Sequence, residues 1–268
     1  MIDAHCHIHQ SPQLPALIAS AQAAGVQQVL LNATCEEDWT AVLSLHHSYS
    51  DFVVPCIGVH PWFCRDLEMG WELRLEGILR EQQHVLLGEV GLDHYSSKYA
   101  LCRRPPKPLQ AQVCAAQLSL AEQLHRPISV HCVRAHKPLL KLMQLLSSQP
   151  PTLMHSWSGS PAQVTQFLHA FPQSLYFSVS QASLTESADS VAAIPLDRIV
   201  VETDSPYLCK SEVLADYGIL PERDEHDSPI NEPKYLPCSL RRLASLLQRS
   251  EEEVKTVTTA NIRRFLGT

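Results

Sequence analysis

The chain is poor in aromatic side chains, which make up 6% of its 268 residues, while 45% of the sequence is hydrophobic through abundant Leu, Ala and Val. That balance argues against an all-β sandwich and favours buried strands packed under amphipathic helices. No apolar run approaches the ~20 residues of a membrane span. The opening MIDAHCHIHQ has neither the basic segment nor the apolar stretch of a secretory leader. A soluble, cytoplasmic protein is therefore expected. There is no CxxC pair: the cysteines, at 6, 35, 56, 64, 102, 114, 132, 209 and 238, are odd in number. Several sit in apolar runs such as VVPCIGV, where a thiol behaves as a small hydrophobe, so reduced thiols are expected rather than a disulfide scaffold. Positive charge is not in excess either, with 28 acidic against 21 basic residues and a net charge of -7. Such a total argues against a stable grip on many phosphates. It does not exclude phosphodiester chemistry, because bound metal ions reverse the local potential. Finally, no glycine follows the first apolar segment, AHCHIHQS, so the dinucleotide fingerprint is missing, and no G-x-S-x-G elbow announces a serine nucleophile.

What is present is a regular alternation. Short apolar runs at 2–5, 27–32, 53–59, 85–90, 127–131, 151–155, 174–179 and 198–203 read as strands. Helical patterns fall near 12–24, 36–49, 67–82, 108–126, 135–147, 161–170 and 185–193, then at 239–249 and 251–265. In the fourth of these, Leu109, Val113, Ala116 and Leu120 recur three or four residues apart, giving one buried stripe. Each strand is followed by room for a crossover helix, as a parallel sheet requires. Eight such units predict an α/β fold, a single-domain (β/α)8 TIM barrel covering 1–268. One segment stands apart. Residues 205–237 carry five prolines and many charges, and a connection of that length is expected to fold over the catalytic face and shape access to it.

The polar residues of the strands gather at one level. His5 and His7 alternate at the end of the first strand, so they face the same way, and strict alternation places Asp3 with them. Unpaired polar groups inside a barrel are costly, and a metal ion satisfies them. Glu89 ends VLLGE, His131 ends PISVH, His155 ends PTLMH and Asp204 follows RIVVET. Strand ends of one polarity converge on the face where barrel active sites lie. Two carboxylates and four imidazoles supply ligands for two divalent ions, with Mg²⁺, Mn²⁺ and Zn²⁺ all compatible because no cysteine occupies a ligand position. One ion is assigned to His5, His7 and Asp204, the other to His131 and His155, with Glu89 bridging them through its two oxygens. Asp204 is the expected general base, Asp3 an outer acceptor or minor ligand. His60, Asp93 and Arg134 are candidate substrate contacts at the rim. The remaining histidines, His9 among them, read as surface or structural residues. Ser160 and Pro161 in HSWSGSP are expected at a strand-to-helix turn.

These residues and motifs resemble the TatD family of metal-dependent deoxyribonucleases, within the amidohydrolase superfamily. The resemblance runs through DAHCHI at 3–8, GVHPW at 58–62, LGEVGLD at 87–93, VHCVRA at 130–135, HSWSGS at 155–160, VETDSPYL at 201–208, NEP at 231–233 and Asn261. It implies a TIM barrel, metal positions at His5, His7, Glu89, His131, His155 and Asp204, and hydrolysis of DNA, commonly 3′–5′ and Mg²⁺-dependent. Single-stranded or frayed DNA is then the expected substrate. The segment after His131 departs from the family's H-S-R-D-A pattern, the GLD aspartate is followed by His94, and LYFSVSQASL lacks the usual glycines. HCVRA, HSWSGS and YFSVS also resemble a branch that includes interaction proteins. A hydrolase of another ester, amide or small phosphoester, or an adaptor with a protein partner, are thus the alternative expectations.

Overall fold

The strands appear where the apolar runs stand. In the computed structural model, which describes residues 1–95 and 104–268, they are β1 (Ile2–Cys6), β2 (Gln28–Asn32), β3 (Val53–Ile57), β4 (Leu86–Asp93), β5 (Ile128–Val133), β6 (Thr152–Met154), β7 (Leu175–Val179) and β8 (Ile199–Val201). All seven sequential neighbours pair in parallel, in the order β1 to β8. The edges of the sheet meet: the backbone N–H of His7 donates to the Ser205 carbonyl at 2.7 Å and that of Asp204 to His5 at 2.9 Å. The result is a (β/α)8 barrel.

The helices are α1 (Leu14–Ala23), α2 (Trp39–Ser48), α3 (Trp71–Glu81), α4 (Lys107–Leu124), α5 (His136–Met143), α6 (Pro161–Ala170), α7 (Gln181–Glu186), α8 (Ala188–Ala192), α9 (Ser211–Ala215), α10 (Leu236–Leu247) and α11 (Glu251–Leu266). Local chemistry fixes several ends. At α6 the Ser160 hydroxyl accepts from the Gln163 N–H while the Gln163 side chain accepts from the Ser160 N–H, with Pro161 in the first turn. At α11, Ser250 caps a first turn of three glutamates, and Arg263 and Arg264 lie in the last turn before Gly267, charges that suit the helix dipole. The helix expected near 185–193 instead begins at Gln181 and breaks at Ser187.

The barrel interior is layered. Ile2, Ala4, Leu30, Cys56, Leu86, Leu153, Tyr176 and Val200 form an apolar floor, closed by Ile262 and Phe265 of α11. Above it lies a polar layer with no solvent access at His5, Asn32, Ser129, Ser178 and Glu202. The larger cluster, from Val29, Leu31 and Ile57 to Leu118, Phe167 and Phe177, packs strands against helices. Burying each such side chain stabilises the fold by roughly 1.5–3 kcal/mol. The buried side of α4 is broader than the expected stripe. It takes in Gln110, Val113, Cys114, Gln117, Leu118, Leu120 and Ala121, so Val113 and Leu120 are buried as expected while Leu109 and Ala116 are only half-buried. Its two glutamines fasten the strands. Gln117 accepts from the Val59 N–H at 2.8 Å and donates to the Val59 carbonyl at 3.1 Å, and Gln110 accepts from the Asp93 N–H at 2.9 Å.

The described cysteines are free thiols, and Cys6 and Cys132 are core residues as expected; Cys102 lies outside the described residues. No helix among the described residues is long and apolar enough to cross a membrane.

Candidate metal centre

Two irregularities in the barrel wall aim the polar side chains. In β1, Asp3 is in register with Val29 and Cys6 with Leu31, so three steps on one strand match two on the other. Such a bulge re-aims the residues around it. Strict alternation therefore fails here: His5 and His7 face the barrel mouth, but Asp3 does not join them. Both of its oxygens are instead held by Thr203, Oδ1 by the backbone N–H at 2.9 Å and Oδ2 by the hydroxyl at 2.6 Å. Asp3 is a buried tie between β1 and β8, and burial pushes its carboxyl up to about 7. A second bulge lies in β4, between Leu87 and Val90, and turns Glu89 inward.

Glu89 stands at the middle of the cluster. Its Oε2 lies 3.4 Å from His5 Nε2 and 3.3 Å from His7 Nε2. Its Oε1 lies 2.7 Å from His131 Nδ1 and 2.8 Å from His155 Nε2. Each carboxylate oxygen thus faces its own histidine pair. Asp204 completes the first side, with Oδ1 at 3.4 Å from His7 Nε2 and 3.8 Å from His5 Nε2. It takes φ +58°, a left-handed backbone that is uncommon outside glycine and tends to occur at functional sites.

The outer nitrogens of three of these rings have partners. His7 Nδ1 donates to the Asn32 carbonyl at 2.8 Å, His5 Nδ1 pairs with Ser129 Oγ at 3.0 Å, and His131 Nε2 lies 3.4 Å from Asp93 Oδ2. Such partners fix ring orientation, and the carbonyl on His7 and the carboxylate on His131 leave the inner nitrogens of those two rings as lone pairs. The consequence is a surplus of acceptors. His7 Nε2, His5 Nε2, Glu89 Oε2 and Asp204 Oδ1 converge, and the buried Asp204 Oδ1 has no hydrogen-bond donor. The site calls for positive charge. Burial alone would lower His7, yet the adjoining Asp204 and Glu89 carboxylates pull it up to about 10. Burial would likewise raise Glu89, but His155, His60, His5 and His131 hold it well below the usual range. The residues therefore fit divalent metal, and among the described residues three overlapping groups have ligand atoms close enough to hold an ion: His5–His7–Glu89, His60–Glu89–His131 and His5–His155–Glu202.

Two members of these groups were not expected as ligands. His60 Nε2 is 3.7 Å from Glu89 Oε1, but its Nδ1 accepts from the Trp62 N–H at 3.2 Å. Burial, with the neighbouring imidazoles, lowers it to about 3. A neutral ring accepting at Nδ1 carries its proton on Nε2, so His60 presents a donor to the site and not a lone pair. Glu202 is not singled out by the sequence pattern. It is fully buried, with Oε1 at 3.4 Å from His155 Nδ1 and Oε2 accepting from the Ser178 hydroxyl. Its position two residues before Asp204 was the available signal, since both then face inward.

The rim residues divide. Asp93 contacts His131, the indole N–H of Trp62 at 2.8 Å and the guanidinium of Arg104 at 2.8 Å. Arg134 stays outside the cluster, exposed, with its guanidinium over the Tyr95 ring. His9, read as surface or structural, has a buried ring whose Nε2 is 3.3 Å from Asp38. Gly159 does not face the centre: a Cβ there would lie 2.3 Å from the Trp157 ring. In the 205–237 segment, Tyr207 places its ring 5.9 Å from that of His7. The Asn231 amide donates to the carbonyls of Thr203 and Tyr207 at 2.7 and 2.9 Å and ties the returning chain to the end of β8.

A family model described as TatD related DNase matches residues 2–267. The chain belongs to the TatD-related DNase family. It is 27% identical over 276 residues to the metal-dependent hydrolase TatD of Mycobacterium tuberculosis, covering 100% of this chain and 98% of that one. It is 28% identical over 262 residues to the 3′-5′ ssDNA/RNA exonuclease TatD of Edwardsiella piscicida, covering 95% and 94%. The crystal structure of YJJV, a TatD homologue from Escherichia coli, shares the fold with a TM-score of 0.83 at 23% identity, over 100% of this chain and 98% of that one. The TatD-family chain is thus a metal-dependent hydrolase, with histidine and glutamate clusters that form candidate divalent-metal sites.

Proposed function

We propose that this TatD-family chain hydrolyses phosphodiesters at the end of a DNA strand, using two divalent ions of the Mg²⁺, Mn²⁺ or Zn²⁺ type. The observation that carries the reading is the position of Glu89, with one oxygen facing His5 and His7 and the other facing His131 and His155. His5, His7 and Asp204 would hold one ion, His131 and His155 the other, and Glu89 both. Divalent ions in such pairs polarise a phosphoryl group and make water nucleophilic near neutral pH. Asp204, whose Oδ1 lacks a donor, takes the proton of the attacking water. His60 offers its Nε2–H to a phosphoryl or leaving oxygen. Glu202 sets the ring of His155 through Nδ1. The 205–237 segment borders the site through Tyr207 and narrows the approach. The nucleic-acid preference draws support from the Edwardsiella relative, named for 3′-5′ hydrolysis of ssDNA and RNA.

The test is a panel of single-stranded DNA, duplex DNA, small phosphodiesters, lactones and amides, each with Mg²⁺, Mn²⁺ and Zn²⁺. Metal-dependent release of nucleotides from a single-stranded end, faster than any acyl turnover, is the expected result. Turnover confined to lactones or amides would overturn the phosphodiester reading. Firm capture of a protein partner with no turnover in any well would overturn the enzymatic one.

A further inference from the structure

Beside the candidate metal centre, aromatic rings and guanidinium groups alternate along the rim. The Arg104 guanidinium lies 5.2 Å from the Trp62 ring centre and 5.3 Å from that of Tyr95, and the Arg134 guanidinium lies 4.5 Å from Tyr95. Trp62 and Tyr95 are nonetheless 48% and 41% exposed, among the few large hydrophobic side chains left open to solvent. A tryptophan is held in the open here by named bonds: its indole N–H is fixed at 2.8 Å on Asp93 Oδ2, and its ring meets His60 edge-on at 5.3 Å. The same Asp93 oxygen lies 3.4 Å from His131 Nε2. One carboxylate therefore separates the indole from a ring of the metal cluster. Arg104 spends its charge on Asp93, whereas the Arg134 side chain is exposed.

We infer that Trp62, backed by Tyr95 and Arg134, is the stacking platform for the nucleobase next to the scissile phosphate. The inference rests on the phosphodiesterase reading and adds where the base goes. An exposed, pre-oriented aromatic face beside a cationic side chain suits a flat heteroaromatic group carried on an anionic backbone, and every base offers such a face. The placement also fits the reach of a nucleotide, with the phosphate on the metal cluster and the base one carboxylate away. A simple structural clamp would need the Arg104 pairing but no open indole face. A platform of this kind confers little base preference, because stacking reads the ring and not its edge pattern.

The experiment compares affinities for two strands that differ by one base. A 5′-fluorescein decadeoxynucleotide with a terminal phosphorothioate linkage is used with an intact 3′-terminal nucleotide or with an abasic one. A 3′-labelled pair carries the change at the 5′ end, and a ribonucleotide version of each pair gives the RNA arm. Binding is followed by fluorescence anisotropy with Mg²⁺ in the wild type, Trp62→Ala and Trp62→Phe. Each protein supplies its own ratio of abasic to intact Kd, so partial unfolding or loss of metal affects both strands alike. The wild type should prefer the intact end by roughly 5- to 150-fold, the range of one base–aromatic stack. Trp62→Ala should bring the ratio close to one, and Trp62→Phe should keep most of it. A wild-type ratio near one at both ends, or a full ratio in Trp62→Ala, overturns the platform. Those results leave nucleotide release free to be observed, whereas absence of turnover with an intact ratio would strike the hydrolase reading alone.

Discussion

Gly91→Ala adds a single methyl group where the barrel wall has no space for it. Gly91 sits opposite His131 in the β4–β5 register and has φ +149°. A Cβ there would lie 1.9 Å from the His131 carbonyl oxygen and under 3 Å from its backbone C and N. The obstacle is backbone, so no rotamer change relieves it, and one strand must move by about 1 Å or more to restore van der Waals contact. Overpacking of this kind costs roughly 1–3 kcal/mol, and a side chain held at that φ about 1–3 kcal/mol more. The sum, about 2–6 kcal/mol, corresponds to a fall in Tm on the order of 5–20 °C for a chain of this size. The damage should also be functional. Glu89 and Asp93 flank Gly91, so a shifted β4 moves Glu89 from its place 2.7 Å from His131. Thermal unfolding followed by circular dichroism reads the first effect. Isothermal titration with Mn²⁺ reads the second, with an expected loss of affinity of roughly 10–100-fold, as when support around a ligand is removed. A variant with wild-type Tm and a wild-type titration curve would refute the steric argument and the placement of His131 that rests on it.

Other perturbations separate the roles assigned above. Asp204→Asn at saturating Mn²⁺ should lower kcat by about 10²–10⁴ with a much smaller change in KM, the signature of a lost base; near-full turnover would leave Asp204 as a ligand only. Thr203→Val removes the hydroxyl that donates to Asp3 and should destabilise the fold by about 1–3 kcal/mol in urea unfolding; an unchanged midpoint would remove Asp3 as the tie between β1 and β8. Asp38 answers to pH. Burial would raise its carboxyl, but the His9 ring 3.3 Å away and bonds from the Thr34 N–H and hydroxyl hold it below the usual range. A depressed acid stabilises above its unfolded value, near ~3.9, and loses that contribution as pH falls through the folded value. The stability gap between wild type and Asp38→Asn should therefore be largest at neutral pH and close in acid; a gap that widens below pH 4 would contradict the assignment.

The barrel was legible because its signals are periodic. Eight apolar runs with helix-length spacers leave few topologies, and every strand lies within a few residues of its expected bounds. His5, His7, Glu89, His131, His155 and Asp204 could be gathered from position alone, as polar residues at the downstream ends of buried strands. What failed was alternation across a bulge. Nothing in IDAHC shows that its register slips against β2, so Asp3 was grouped with two histidines whose face it does not share. Hydropathy also hid polar residues that do structural work inside. Gln110 and Gln117 on the buried side of α4 look like surface residues until their partners on β4 and after β3 are seen. Glu202 is masked by its neighbours: in VETD the terminal aspartate carries the recognisable signal, although the glutamate shares its inward parity. The rim platform depends on contacts between residues far apart in the chain, Trp62 with Asp93 and Arg134 with Tyr95, which no local pattern announces.

Glu89 is proposed to serve two ions at once. The most direct measurement of this is metal content against activity: the chain is stripped, reconstituted stepwise with Mn²⁺, and assayed for nucleotide release while bound metal is counted by elemental analysis. Two ions per chain at full activity is the predicted result, with Glu89→Gln unable to retain the pair at the same free Mn²⁺. Full activity at one bound ion per chain would contradict the central claim.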